Sequence, residues 1–179
     1  MSTMIEKINV FSIVVRHMDT FREGEVHQNR LYTLDLLLFY GLPAAVCVIY
    51  YFLNFSVQNN LVNVGLTVYS IFFGLLLNLL VLIHAVSNGL KYKSSEKSHK
   101  NKVMKLLLSM SNNIGYSVFI SAIVLLLLVA FHLFDEGLVR NTLTYMIIYL
   151  SVNFGLTLLL VLKRAHIILT EDITRKFTD

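Results

Sequence analysis

Four apolar blocks dominate the chain: Leu36 to Phe55, Leu61 to Val86, Ile114 to Phe134 and Leu143 to Leu162. Each is about 20 residues or longer, which as helix crosses the roughly 30 Å hydrocarbon core of a bilayer. None carries a charge in its interior, and the third is nearly unbroken aliphatic sequence from Ile123 to Phe131. A soluble core helix shows a polar face every turn, and spanning strands alternate over about 9–11 residues. Neither pattern fits, so the sequence predicts an all-α polytopic membrane protein with four transmembrane helices. The 56% hydrophobic and 15% charged composition agrees, because soluble domains run at about 45–50% and 25%.

The cations then orient the spans. Of 15 Lys and Arg, Lys7, Arg16, Arg22 and Arg30 precede the first span. Lys91, Lys93, Lys97, Lys100, Lys102 and Lys105 lie between spans two and three, and Lys163, Arg164, Arg175 and Lys176 follow span four. Only Arg140 falls on the other side, and the loop Asn54 to Asn60 is uncharged. The positive-inside rule therefore predicts both termini in the cytoplasm. Fourteen inner cations against nine acids leave +5 inside, while Asp135 and Glu136 outweigh Arg140 outside. The organisation expected is a cytoplasmic segment 1–30, a membrane domain 31–163 containing a basic cytoplasmic loop 87–112, and a tail 164–179.

The first 30 residues lack the long apolar run of a signal peptide. Apolar residues at 4, 5, 8, 11, 14, 15 and 18 instead predict a short amphipathic cytoplasmic helix. Thr170, followed by Glu171 and Asp172, reads as the cap of a second one.

Polar residues inside the spans are the candidate site. In span two Asn63, Thr67, Ser70, Gly74 and Asn78 share one helical face. In span four Tyr145, Tyr149, Asn153 and Thr157 recur every four residues, and Ser151 and Gly155 form a small-residue pair. Span three has only Ser117 and Ser121 and is expected to face lipid. Such rows either let helices pack closely and hydrogen-bond, or line a water-filled path in an oligomer. Pro43, after Gly41 in span one, frees a carbonyl and is expected to kink the helix as a candidate gate. The likeness of Asn63-Val-Gly-Leu-Thr67 to Asn153-Phe-Gly-Leu-Thr157 joins unmatched depths and is read as chance.

Other chemistries find little support. The lone Cys47 excludes a disulfide framework. No Walker, GxSxG, HExxH or EF-hand pattern occurs, so no enzyme and no cofactor or metal site is expected. His84 and His166 could flank a haem, but interfacial histidines are the simpler reading. Asp35 at the inner edge of span one is expected to be an interfacial charge near Arg30 rather than a proton carrier. The lysines from 91 to 105, with Lys163 and Arg164, suit anionic lipid or an anionic ligand such as a nucleotide or short nucleic acid.

The amphipathic N-terminal helix with Arg16 and Arg22, the hairpin of spans from Leu36 to Val86 and the basic, helix-prone stretch after it resemble SLATT-type membrane effectors of bacterial anti-phage systems, Hailong-type channel effectors among them. The resemblance is one of layout, over the N-terminal half, and the simplest members have two spans rather than four. It implies a homo-oligomeric ion channel, here taken as a tetramer, in the bacterial inner membrane. It also implies gating by a short oligonucleotide or cyclic nucleotide, and a nucleotidyltransferase partner. The competing readings are a non-conducting membrane adaptor or superinfection-exclusion protein, and a small proton-coupled transporter.

Overall fold

The computed structural model describes residues 11–22, 29–53, 57, 59–93, 97–134 and 137–176, and side chains over most of these. They form five α-helices: α1 Phe11–Arg22, α2 Asn29–Phe52, α3 Asn59–Lys93, α4 Lys97–Leu133 and α5 Leu138–Lys176. Three have continuous stretches long and apolar enough to cross a membrane: Asn59–Asn88, Val103–Leu133 and Leu138–Ile168. The corresponding stretch of α2, Leu37–Phe52, is shorter.

The helices overrun the expected spans. Within 87–112, all described residues are helical, so the basic stretch is carried on the end of α3 and the first turns of α4. Thr170 does not cap a new helix. α5 runs through it to Lys176, and its Oγ1 donates to the His166 carbonyl one turn back at 2.9 Å. The Met4 to Val10 part of the expected amphipathic helix lies outside the described residues, as do Asp135 and Glu136.

The core follows from which helices touch. α4 packs on α3, on α5 and on α1, whereas α2 reaches only α5 and α1. Among the described residues α2 and α3 make no contact, so the hairpin of the first two spans is not a packed pair. α4 is therefore the central helix, which corrects the expectation that span three faces lipid. Ile114, Ile120, Val124, Leu128 and Phe131 are buried on several sides of it. Ser109, Asn113, Ser117 and Ser121, one per turn, are buried too. This row begins before the predicted start of the span, so only its last two members stood out in the sequence.

α3 shows a different economy. Val62, Leu66, Tyr69, Phe73, Leu76, Leu80 and Ile83 alternate at spacings of four and three, and every one is buried or half-buried. That is the seam of a coiled-coil-like pair with α4. Most of the other described residues of the helix are exposed, with Gly65, Leu79 and Ser87 half-buried. The turn from α4 into α5 passes through Gly137 at φ 154°, where an L side chain would be strained.

Candidate functional site

The most connected polar cluster lies where α1, α2, α4 and α5 meet. It starts from a backbone defect. Pro43 has no N–H, so the Phe39 carbonyl, four residues earlier, has no helical donor. α2 nonetheless continues through Pro43, whose ring is fully buried. The missing donor comes from α5: Asn153 Nδ2 donates to Phe39 O at 3.2 Å. Asn153 Oδ1 accepts from the Tyr116 hydroxyl of α4, also at 3.2 Å. Thr157 Oγ1 donates to the Asn153 carbonyl at 2.9 Å. One carboxamide thus ties three helices at the level of the proline.

His17 brings in α1. Its imidazole lies parallel to the Tyr116 ring, centroids 3.9 Å apart, and edge-on to Phe39 at 5.9 Å. Nδ1 stands 2.8 Å from Asn113 Oδ1, which can only accept, so Nδ1 carries the proton. His17 is 2% exposed. Burial, with nearby Arg164 adding to it against the Asn113 hydrogen bond, pulls its pKa from 6.5 down to about 4. The ring is neutral at physiological pH. Arg164 itself donates from Nη1 to the Ser109 carbonyl at 3.0 Å, so it braces α5 on α4 at the same end.

The predicted residues divide into two groups. Asn153 and Thr157 are buried and Tyr149 is half-buried, all within the helix assembly. Asn63, Thr67, Ser70, Gly74 and Asn78 are exposed on the outside of it. They lie roughly 130° around α3 from the seam, at 100° per residue. Thr67 and Ser70 hydroxyls bond back to the carbonyls of Asn63 and Leu66, at 3.1 and 2.7 Å. Asn63 Oδ1 accepts from His132 Nε2 at 3.2 Å. A Cβ added at Gly74 would meet nothing within 4 Å. The two rows therefore do not face each other within one chain.

Gly41 is exposed beside buried Pro43. Lys105 and Lys163 are exposed. The side chains of Asp35, Lys91, Lys93, Lys97, Lys100 and Lys102 lie outside the described residues. His84 accepts from Asn88 of its own helix at 3.2 Å, and α4 stands between it and His166 of α5. Among the described residues no group of three or more His, Cys, Asp or Glu could hold a metal ion.

His17, Asn113 and Tyr116 did not stand out in the sequence. Asn113 and Tyr116 bracket the predicted start of span three, and a lone histidine on an amphipathic helix looks interfacial. The available signal was the four-residue row from Ser109 to Ser121. No family model matches the chain, and no curated protein or solved structure matches it.

Proposed function

We propose that this chain crosses the bacterial inner membrane four times with both termini in the cytoplasm, and assembles with copies of itself into a channel-type effector. The observation that carries the reading is the exposed polar row of α3. In hydrocarbon each unsatisfied carboxamide costs several kcal/mol. Asn78 lies deep within an apolar stretch of 30 residues, yet it is exposed on the outside of the assembly. A second copy or a water path facing α3 relieves that cost. A ring of copies supplies both.

In this reading α3 lines the path and α2, with its proline, is the element that moves. The buried cluster holds α1 against α2 and α4 on the cytoplasmic side. Anions collected by the lysines of the α3–α4 helical extension, a nucleotide or short oligonucleotide, bias the gate through their differential affinity for its two states. A role in phage defence with a nucleotidyltransferase partner follows from the layout resemblance alone.

The test is current through planar bilayers from purified protein, with and without short oligonucleotides. Asn78→Leu is expected to change unitary conductance. Loss of oligomer with no conductance at any ligand concentration in the parent protein overturns the reading. One observation favours the non-conducting adaptor instead. Thr67 and Ser70 satisfy their own hydroxyls within α3, as packing residues do. A stoichiometric membrane partner retained through purification is what that alternative requires.

A further inference from the structure

Between α3 and α5, floored by α4, runs a groove of about 230 Å³ in the half of the molecule that holds the α4–α5 turn. Leu61, Gly65 and Tyr69 form one wall, Leu128 and Phe131 the floor, and Ile148 and Ser151 the other wall. Tyr69 and Phe154 meet ring to ring at 5.2 Å. Thr144, also in the lining, spends its hydroxyl on the Arg140 carbonyl at 3.0 Å. The rest of the lining is almost entirely aliphatic and aromatic, so the groove is an apolar slot.

Among the described residues one cation stands at its rim. Arg140 starts on α5, lays its guanidinium 4.4 Å above the centre of the Phe131 ring, and donates from Nη2 to Asn59 Oδ1 on α3 at 3.0 Å. It therefore bridges the two walls over the floor residue. It is also the one Lys or Arg on the side opposite the other fourteen. A guanidinium has five N–H donors in a fork that matches phosphate oxygens. A cation over an apolar slot, at the end of helices that cross a bilayer, matches a molecule with an anionic head and a hydrocarbon tail.

We propose that this groove is a phospholipid site of the outer leaflet, with the phosphodiester on Arg140 and one acyl chain along Gly65, Leu128 and Ile148. The assignment rests on the membrane-spanning orientation above and not on conduction. Gly65 keeps the slot open. A Cβ at that position would come within 3.3 Å of Leu128 Cδ1, so larger side chains must fill the space the chain needs.

The test is native mass spectrometry of the intact protein in non-ionic detergent, titrated with phosphatidylglycerol, with diacylglycerol of the same chains, and with inorganic phosphate. Saturable phosphatidylglycerol binding is expected to exceed diacylglycerol binding about tenfold, as a charge-assisted contact implies. Arg140→Gln is expected to remove that difference, and Arg140→Lys to keep most of it. Gly65→Leu, and separately Ile148→Trp from the other wall, are expected to abolish binding of both lipids. Equal binding of the two lipids by the parent protein overturns the proposal. So does binding that survives both groove-filling variants, or inorganic phosphate competing as well as lipid. Each measurement reads binding, so a protein that binds lipid but passes no current leaves this site standing and removes only the channel.

Discussion

The Asn153 carboxamide donates to the Phe39 carbonyl, the group that Pro43 strips of its helical partner. A proline inside a helix leaves the carbonyl four residues back without its usual donor. Here the repair comes from another helix, and the same carboxamide is held by Tyr116. The defect in α2 has therefore become an attachment to α5, through a carboxamide that Tyr116 of α4 also holds.

This pairing makes a double-mutant cycle informative. Asn153→Leu is expected to lower stability in detergent by about 1–2 kcal/mol by removing the bonds to Phe39 O and from the Tyr116 hydroxyl. Pro43→Ala restores an N–H at position 43 and lets Phe39 O bond within its own helix. In that background Asn153→Leu is expected to cost less, with a coupling of about 1 kcal/mol. Additive effects in reversible unfolding would show that the carboxamide does not serve the proline.

Much of this was legible beforehand, though not how its parts meet. Apolar block length marked three of the long helices, because hydrocarbon thickness sets helix length directly. Pro43 and Asn153 each stood out, one as a broken backbone bond and one as a mid-span amide. Their meeting depends on how α2 lies against α5, over a sequence separation that no local pattern encodes. The central place of α4 was hidden for another reason. In a bilayer, lipid-facing and buried surfaces are equally apolar, so hydropathy cannot tell Leu126, which is exposed, from Leu128, which is buried. Only the row Ser109, Asn113, Ser117 and Ser121 distinguishes them, and it straddles the expected end of the span.

His17 should make the docking of α1 sensitive to acid. Docked, its pKa is about 4, and released it returns toward 6.5. Between these values the released state binds more protons, so docking is strongest above pH 6.5 and weakens as pH falls toward 4. The loss approaches about 3 kcal/mol at the lower end. Amide hydrogen exchange in α1, corrected for intrinsic rate, is expected to accelerate from pH 7 to pH 5. His17→Phe keeps the stacking on Tyr116 and should remove most of the pH dependence. Equal acceleration in both proteins would place the sensitivity elsewhere.

Ser117 offers a test in the opposite direction. Its Oγ is buried and has no hydrogen-bond partner among the described residues, whereas Ser121 Oγ donates to Val118 O at 2.8 Å. A buried hydroxyl left unpaired costs about 1–3 kcal/mol, and removing it relieves that cost. Ser117→Ala is expected to be neutral or to stabilise the protein by up to about 1 kcal/mol. A clear drop in melting temperature would mean that the hydroxyl holds a partner such as bound water.

The α3 seam separates packing from hydrophobicity. Leu76 is 5% exposed against α4, and its neighbour Leu75 is 58% exposed. In water Leu→Ala loses both a transfer term and a cavity term, together about 2–5 kcal/mol. In a bilayer the transfer term nearly vanishes, because lipid receives the leucine as well as the core does. Leu76→Ala is therefore expected to cost only about 1–2 kcal/mol in reversible unfolding from detergent, the cavity share. Leu75→Ala, away from both the seam and the polar row, should cost almost nothing. If Leu75→Ala costs as much as Leu76→Ala, that side of α3 is covered by another chain, and the oligomer contact lies beside the polar row rather than along it.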